Sequence, residues 1–374
     1  MPIMSTSTYL DYFSTNIPAS GGIMYPFDAR LTLETGVPVS ITNQTAKTHL
    51  YITKYKGDQV AVFSSAGVST QLTLSSDIDI DLSGLGRSQA YTNDPAAGSN
   101  ITLNMTNTAG FLVGNKVKVS SSAGSEEANI TVVTANTSIT VDTLAINHTT
   151  TTPVVTGQLP YDVFVYNNAG VLAAEVLVWT NTTTRATALV LTTNGVLTKS
   201  GDPTRRYAGA FSTTTTIGQC EYSTSFMGVD NYYNRVEVPL FAVDTDNSHT
   251  YTVATWRAWR GNTVNGTTRV TVMSGVAEDS ITVTVDDSIS NSAATFIAGG
   301  IGINSNSANS AQFFGGLTIA NNWENLLAKY RGVLPVGLNF IQRLQWSTAT
   351  GTTTWAGDNN SVGNQTGMVV IVKG

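Results

Sequence analysis

Asp77, Asp79 and Asp81, at alternate positions in LTLSSDIDIDL, form the first group whose type and spacing could do chemistry. Side chains alternate across a strand, so the three carboxylates share one face and Ile78, Ile80 and Leu82 the other. Such a ladder could offer oxygen ligands to a hard cation such as calcium. Same-face positions lie about 7 Å apart, too far for one ion without loop ligands, and the competing reading is a solvated face over an apolar one. Glu126-Glu127 and Asp286-Asp287 stand at turn-like breaks. Adjacent strand residues point to opposite faces, so neither pair is ready for acid–base work and both read as solubilising. The histidines His49, His148 and His249 are far apart, without metal-ligand spacing, and read as surface or capping residues. Cys220 stands alone, which leaves no intramolecular disulfide and no cysteine-based metal cage, and reads as a small buried apolar residue. No nucleophile elbow, Walker loop or His-Glu-x-x-His motif occurs, and Gly299-Gly300-Ile301-Gly302 opens no helix and reads as a tight turn or bulge. No cofactor is expected.

The aromatic residues carry more information. Trp256, Trp259, Trp346 and Trp355 lie in the last third of the chain, with Arg257 and Arg260 beside the first two. Exposed, they would stack on sugar rings or line a subunit interface, where Trp and Arg are enriched; buried, they are core. A strand through TYTVATWRAWR places Trp256, Ala258 and Arg260 on one face and Arg257 and Trp259 on the other, so at most one of these tryptophans is expected in the core. Arg205 and Arg206 beside Tyr207 read as an ion-pairing site across a subunit boundary, or as an exposed pair in a hairpin. Tyr9, Tyr12 and Phe13, among Pro2, Pro18 and Gly21-Gly22, suit an extended arm that orders against a partner, or a loose terminus.

These residues are set in 374 positions, enough for two or three domains. Only 12% are Asp, Glu, Lys or Arg, against the usual quarter or so, and the net charge is −6. That balance lacks the clustered cations of a nucleic-acid surface. No apolar run approaches the roughly 20 residues that cross a bilayer, and the first residues lack the pattern of a secretory signal. Val, Ile, Thr, Tyr and Phe recur between Gly- and Asn-containing breaks, as at HLYITKY, YDVFVYNNAG and VLTTNGVL, which is the strand and hairpin signature.

The expected fold is all-β, of antiparallel sandwich or jelly-roll-like domains with one short helix toward the C-terminus. That helix is placed at Asn321 to Arg331, where Trp323, Leu326, Leu327 and Tyr330 recur at helical spacing before Gly332. The expected organisation is an arm over 1–26, a split sandwich over 27–95 and 154–244, a small inserted β-module over 96–153, and a second sandwich over 245–374.

The blocks YDVF (Tyr161 to Phe164), WTN (Trp179 to Asn181), TRRY (Thr204 to Tyr207) and NYYNR (Asn231 to Arg235), in this order, together with VPVSITNQTAKTHLYITKYKGDQVAVF and the closing GMVVIVKG, resemble a family of structural proteins of tailed-bacteriophage and prophage virions. The segment FLVGNKVKVSSSAGSEEANITVVTANTSITVDTL resembles a small β-module that recurs in phage structural proteins. The likeness covers most of the chain beyond its first 25 or so residues. It implies a structural protein, made in the bacterial cytoplasm and exposed on the virion; no enzyme is expected, because the sequence offers no catalytic constellation. Its partners would be copies of itself, as a homotrimer or another symmetric oligomer, and capsid, portal or tail proteins, with host surface glycan a further possibility and neither nucleic acid nor membrane insertion expected. The expected role is a tail or head appendage, fibre- or adhesin-like, serving assembly and host attachment. The arm with Tyr9, Tyr12 and Phe13 would dock to the virion and the C-terminal tryptophans would face outward. The rival readings are capsid decoration and a glycan depolymerase using Asp286, Asp287 or Glu278.

Overall fold

The computed structural model describes residues 25–358 and 366–374, so the expected arm residues Tyr9, Tyr12 and Phe13 lie outside the described part. Between these limits the chain is built almost wholly of strands, with one short 3-10 turn at Trp259–Gly261. No helix among the described residues is long and apolar enough to cross a membrane. The all-β, largely antiparallel sandwich character expected from the pattern of β-branched residues and turns is what the structure has.

The first layer pair sets a sheet of Ala29–Thr32, His49–Lys54 and Ile78–Asp81, and the hairpin Gln59–Phe63 with Ser69–Thr73, against a larger sheet. That sheet runs in the order Val171–Val178, Pro160–Asn168, Asp202–Ser212, Leu197–Lys199, Leu189–Leu191. Leu31, Leu50, Ile52, Val163, Val165 and Phe211 fill the space between them. The strands Pro160–Asn168 and Val171–Val178 join through Ala169 and Gly170, both at positive φ (52° and 91°). This is the primed turn whose twist matches the flanking strands.

A six-stranded sheet between these elements, from Arg87–Gln89 through Val154–Gly157, wraps its own core of Leu103, Phe111, Val119, Ile139 and Val155. Its pairing places Arg87–Gln89 and Val154–Gly157 inside the unit, so the inserted unit is wider than the expected 96–153.

The third unit is a sandwich. One sheet runs Gln44–Lys47, Cys220–Tyr222, Phe226–Met227, Arg269–Ser274, Gly337–Trp346, Phe296–Ile303, Gly316–Leu317, and the other runs Glu237–Val243, Gly367–Lys373, Ser280–Asn291, Thr353–Ala356, Ser248–Thr250. Val270, Val272 and Ile341 of the first pack on Val283, Val285 and Val370 of the second. Because Glu237–Val243 pairs with Gly367–Lys373 residue for residue, the expected boundary at 244 is corrected: this unit draws on strands before it, and even on Gln44–Lys47.

The expected helix over Asn321 to Arg331 is a strand, Trp323–Val333, paired in unbroken register with Ser280–Asn291. Leu326 and Ala328 are buried while Leu327 and Lys329 are exposed, the alternation of a strand. The spacing of Trp323, Leu326, Leu327 and Tyr330 mimics a helical stripe, but an eleven-residue helix is marginal alone. The ladder along Ser280–Asn291 outweighs it.

Candidate functional site

The C-terminal sandwich holds two unlike aromatic groups, one built inward around Arg343 by strand parity and one at the surface. In SITVTVDDSIS the residues Ile281, Val283, Val285, Asp287 and Ile289 share one parity and face the core. In GLNFIQRLQW the same holds for Asn339, Ile341, Arg343 and Gln345. Asp287 and Arg343 thus meet between the sheets, both fully buried. Arg343 Nε donates to Asp287 Oδ1 at 2.7 Å, and its guanidinium lies 3.3 Å from the ring centroid of Trp259. Trp259 in turn donates Nε1–H to Asp244 at 2.7 Å and meets Trp355 edge-on at 5.3 Å. His249, 2.7 Å from Gln345 Oε1, packs edge-on against Trp259, and burial lowers its pKa. Burial also pushes the Asp287 carboxyl up to about 6, against the pull of Arg343. Gly299 belongs to this group, because a Cβ there would overlap the Asp287 carboxylate.

Several expectations change here. Asp287 is an interior ion-pair partner and not a solubilising residue, whereas Asp286 is exposed. Gly299 and Gly300 lie within the strand Phe296–Ile303 and make room for Asp287 and for the Trp256 ring, so they form neither turn nor bulge. Trp259 and Trp355 are both core residues, which removes them from any receptor surface. The strand expected through both tryptophans ends at Ala258, and Arg260 at φ 57° turns the chain, letting Trp259 swing inward. Arg260 pairs with Asp244 and Asp246, and Arg257 lies 3.8 Å from the Tyr251 ring centroid, so both serve this fold internally.

The second group is turned outward. Trp256 and Trp346 are half-buried, with ring centroids 6.5 Å apart. Phe314 meets Trp256 at 5.7 Å and Phe296 meets Trp346 at 6.1 Å. Phe296 pairs with Leu317 across neighbouring strands, and Phe313, Leu317, Ile319 and Trp323 are all more than half exposed. Exposed apolar side chains gathered in this way mark a contact site.

The other expected sites disperse. Arg206 is buried and donates to the carbonyls of Tyr25, Pro26 and Ala61 and to the Tyr233 hydroxyl. It fastens the start of the described chain from within the fold. Tyr207 is fully buried and accepts from Arg185, which also holds Asp162 at 2.9 Å. Arg205 pairs with Glu175 within the chain. Of the acidic ladder, Asp77 accepts from Thr35 and Gly36, Asp79 from His49, and Asp81 from Ser83. The three do not converge, and no group of three or more possible metal ligands is found among the described residues, which corrects the cation reading. His148 is buried rather than superficial, between Ser121 and Glu126, and Glu126 also accepts from the amides of Ala145 and Ile146.

A polar cleft of about 270 Å³ opens where the three units meet, lined by Lys116, Glu127, Gln158, Glu221 and Asn265 among others. Two of its charges are engaged with each other: Lys116 lies 3.1 Å from Glu127, which accepts from Thr215 at 2.6 Å. Burial raises the Glu221 carboxyl, and the Ser223 hydroxyl draws it back. Sequence reading missed this cleft, since its residues come from distant strands. The Asp287–Arg343 pair was legible in principle, as charges standing in core parity within apolar alternations.

No protein-family model matches the chain, and no curated protein does. Solved structures with some likeness include an insecticidal delta-endotoxin of Bacillus thuringiensis, 8% identical with a TM-score of 0.22 over 77% of this chain and 52% of that one. They also include a structure of infectious bursal disease virus, 11% identical with a TM-score of 0.21 over 90% of this chain and 73% of that one. The chain therefore spans about half the length of the toxin chain. Likenesses at these TM-scores carry no argument about function.

Proposed function

We propose that the chain is a structural, non-enzymatic component of a tailed-phage virion, an oligomeric tail or head appendage made in the host cytoplasm and exposed on the particle. The observation that carries the reading is the outward aromatic surface of Trp256, Trp346, Phe296 and Phe314, continued by Phe313 and Leu317. An apolar surface of that extent is the means by which a weakly charged protein contacts copies of itself, other particle proteins or a host surface. The order of the YDVF, WTN, TRRY and NYYNR blocks supports the phage setting. The non-enzymatic part is supported by what the buried carboxylates do. Asp287 and Asp162, both raised by burial, are each held by an arginine inside the fold, and Glu221, the raised carboxyl of the polar cleft, accepts from the Ser223 hydroxyl.

Labelling a tagged copy on purified particles tests the reading. Density on the tail or a head vertex is expected. A regular array over the capsid lattice would replace the appendage with a decoration protein, and absence from the particle would overturn both. Release of sugar from host envelope material by the purified chain would overturn the non-enzymatic part.

A further inference from the structure

The strand Trp323–Val333 forms an outer edge of its sheet. Part of that edge is covered by the chain itself. Lys329 N–H donates to Phe313 O at 2.9 Å, Gln312 N–H donates to Lys329 O at 2.8 Å, and the Gln312 side chain bonds both the amide and the carbonyl of Arg331. Residues of an antiparallel strand alternate between bonding one neighbour and the other. Since Lys329 and Arg331 turn their main-chain groups outward, Trp323, Asn325 and Leu327 do so too. For these three no main-chain partner on that side is found among the described residues. The side chains of Trp323 (56%) and Leu327 (48%) are exposed, and exposed Phe313, Leu317 and Ile319 lie nearby in the chain that leads into the strand.

We propose that this edge seats a second copy of the chain, the two strands pairing antiparallel about a twofold axis at Asn325 so that the sheet continues across the dimer. The main-chain parity decides the axis. Only residues with outward groups can face each other in a hydrogen-bonded pair, and Asn325 is the middle one of the free stretch. This register sets Trp323 opposite Leu327 of the second copy, and the same contact repeats on the other side of the axis. Lys329 and Arg331 stay outside the paired stretch, so no like charges are opposed. A twofold contact requires a surface complementary to itself, which this arrangement supplies and an unrelated strand would meet only by chance. Open edges that must stay single carry lysine, proline or a bulge; the free part of this one has none of them at its outward positions.

The inference rests on the reading of the chain as a self-assembling protein and names the surface, without needing the particle. Sedimentation equilibrium of the full chain at micromolar concentration is expected to give twice the 39.5 kDa chain mass. Leu327→Lys is expected to return the single-chain mass while keeping the circular-dichroism spectrum and the single cooperative melt of a folded chain, at a somewhat lower temperature because the stabilising partner is lost. Asn325→Cys is expected to form a disulfide-linked dimer on mild oxidation, because the Cα atoms of a hydrogen-bonded pair lie about 5.5 Å apart, within disulfide reach. Lys329→Cys, off the axis, is expected to form none, and native Cys220 is buried. A monomeric wild type, a threefold mass, an assembly indifferent to Leu327→Lys, or cross-linking at Lys329→Cys but not at Asn325→Cys would overturn the proposal. A dimer in solution with the protein absent from particles keeps this interface and removes the virion reading. A monomer found on particles does the reverse.

Discussion

Trp256 and Trp259 stand in the same short segment, each followed by an arginine, and the fold uses them oppositely. Trp259 is sealed between Arg343, His249 and Trp355, in a cluster where Arg343 is paired with Asp287. Trp256 sits at the rim with Trp346 and Phe314, covered on one side by Gly300 and open on the other. The residue types are nearly the same, and the environments differ because the chain turns at Arg260 between strand and core. Identity of side chain therefore says little about role here, while parity and the path of the backbone say a great deal.

The contrast is most severely tested at the buried ion pair. Arg343→Met leaves Asp287 without its partner inside the core, and a loss of about 3–5 kcal/mol in urea unfolding at pH 7 is expected. The loss should shrink at pH 5, where a carboxyl with a pKa near 6 is mostly neutral and needs no cation. An equal loss at both values would show that the pair is not what holds the inner cluster.

Next in size, Trp259→Ala should cost about 3–5 kcal/mol through the cavity it leaves, while Trp256→Ala should cost less than half as much and alter surface contacts instead. Comparable losses in thermal unfolding would erase the division between inner and outer groups. The strand that replaces the expected helix allows a similar test with adjacent residues. Leu326→Ala should cost about 2–4 kcal/mol and Leu327→Ala within about 0.5 kcal/mol, measured by chemical denaturation. A helix would make the two nearer in cost.

The smallest effect concerns a buried carboxyl without an arginine in contact. Asp230 accepts from the Gly275 amide, and burial raises its pKa to about 7. Its folded pKa lies above the unfolded one, so between about pH 4 and pH 7 the native state holds a proton that the unfolded chain has lost. Its contribution is complete below pH 4 and is lost as the pH rises through 7. Asp230→Asn should therefore flatten the fall of stability over that window and leave the variant more stable than the wild type at pH 8. A melting-temperature profile that keeps the wild-type slope would reject the assignment.

The sequence by itself determined that the chain is all-β, where many turns fall, and which residues alternate, because period two and turn chemistry are local properties. HLYITKY, YDVFVYNNAG and the Asn194-Gly195 step are strands and turns for reasons contained in a few neighbouring residues. It misplaced the one helix because Trp323, Leu326, Leu327 and Tyr330 satisfy two periods at once, and only the partner strand Ser280–Asn291 chooses between them. Tertiary structure alone decided that Arg206 reaches the carbonyls of Tyr25, Pro26 and Ala61, that Asp287 finds Arg343, and that Gln312 covers Arg331 while leaving Asn325 open. These contacts join residues far apart along the chain, and no local pattern encodes which distant strand will lie beside a given one. That is a matter of how whole sheets bury their apolar faces together.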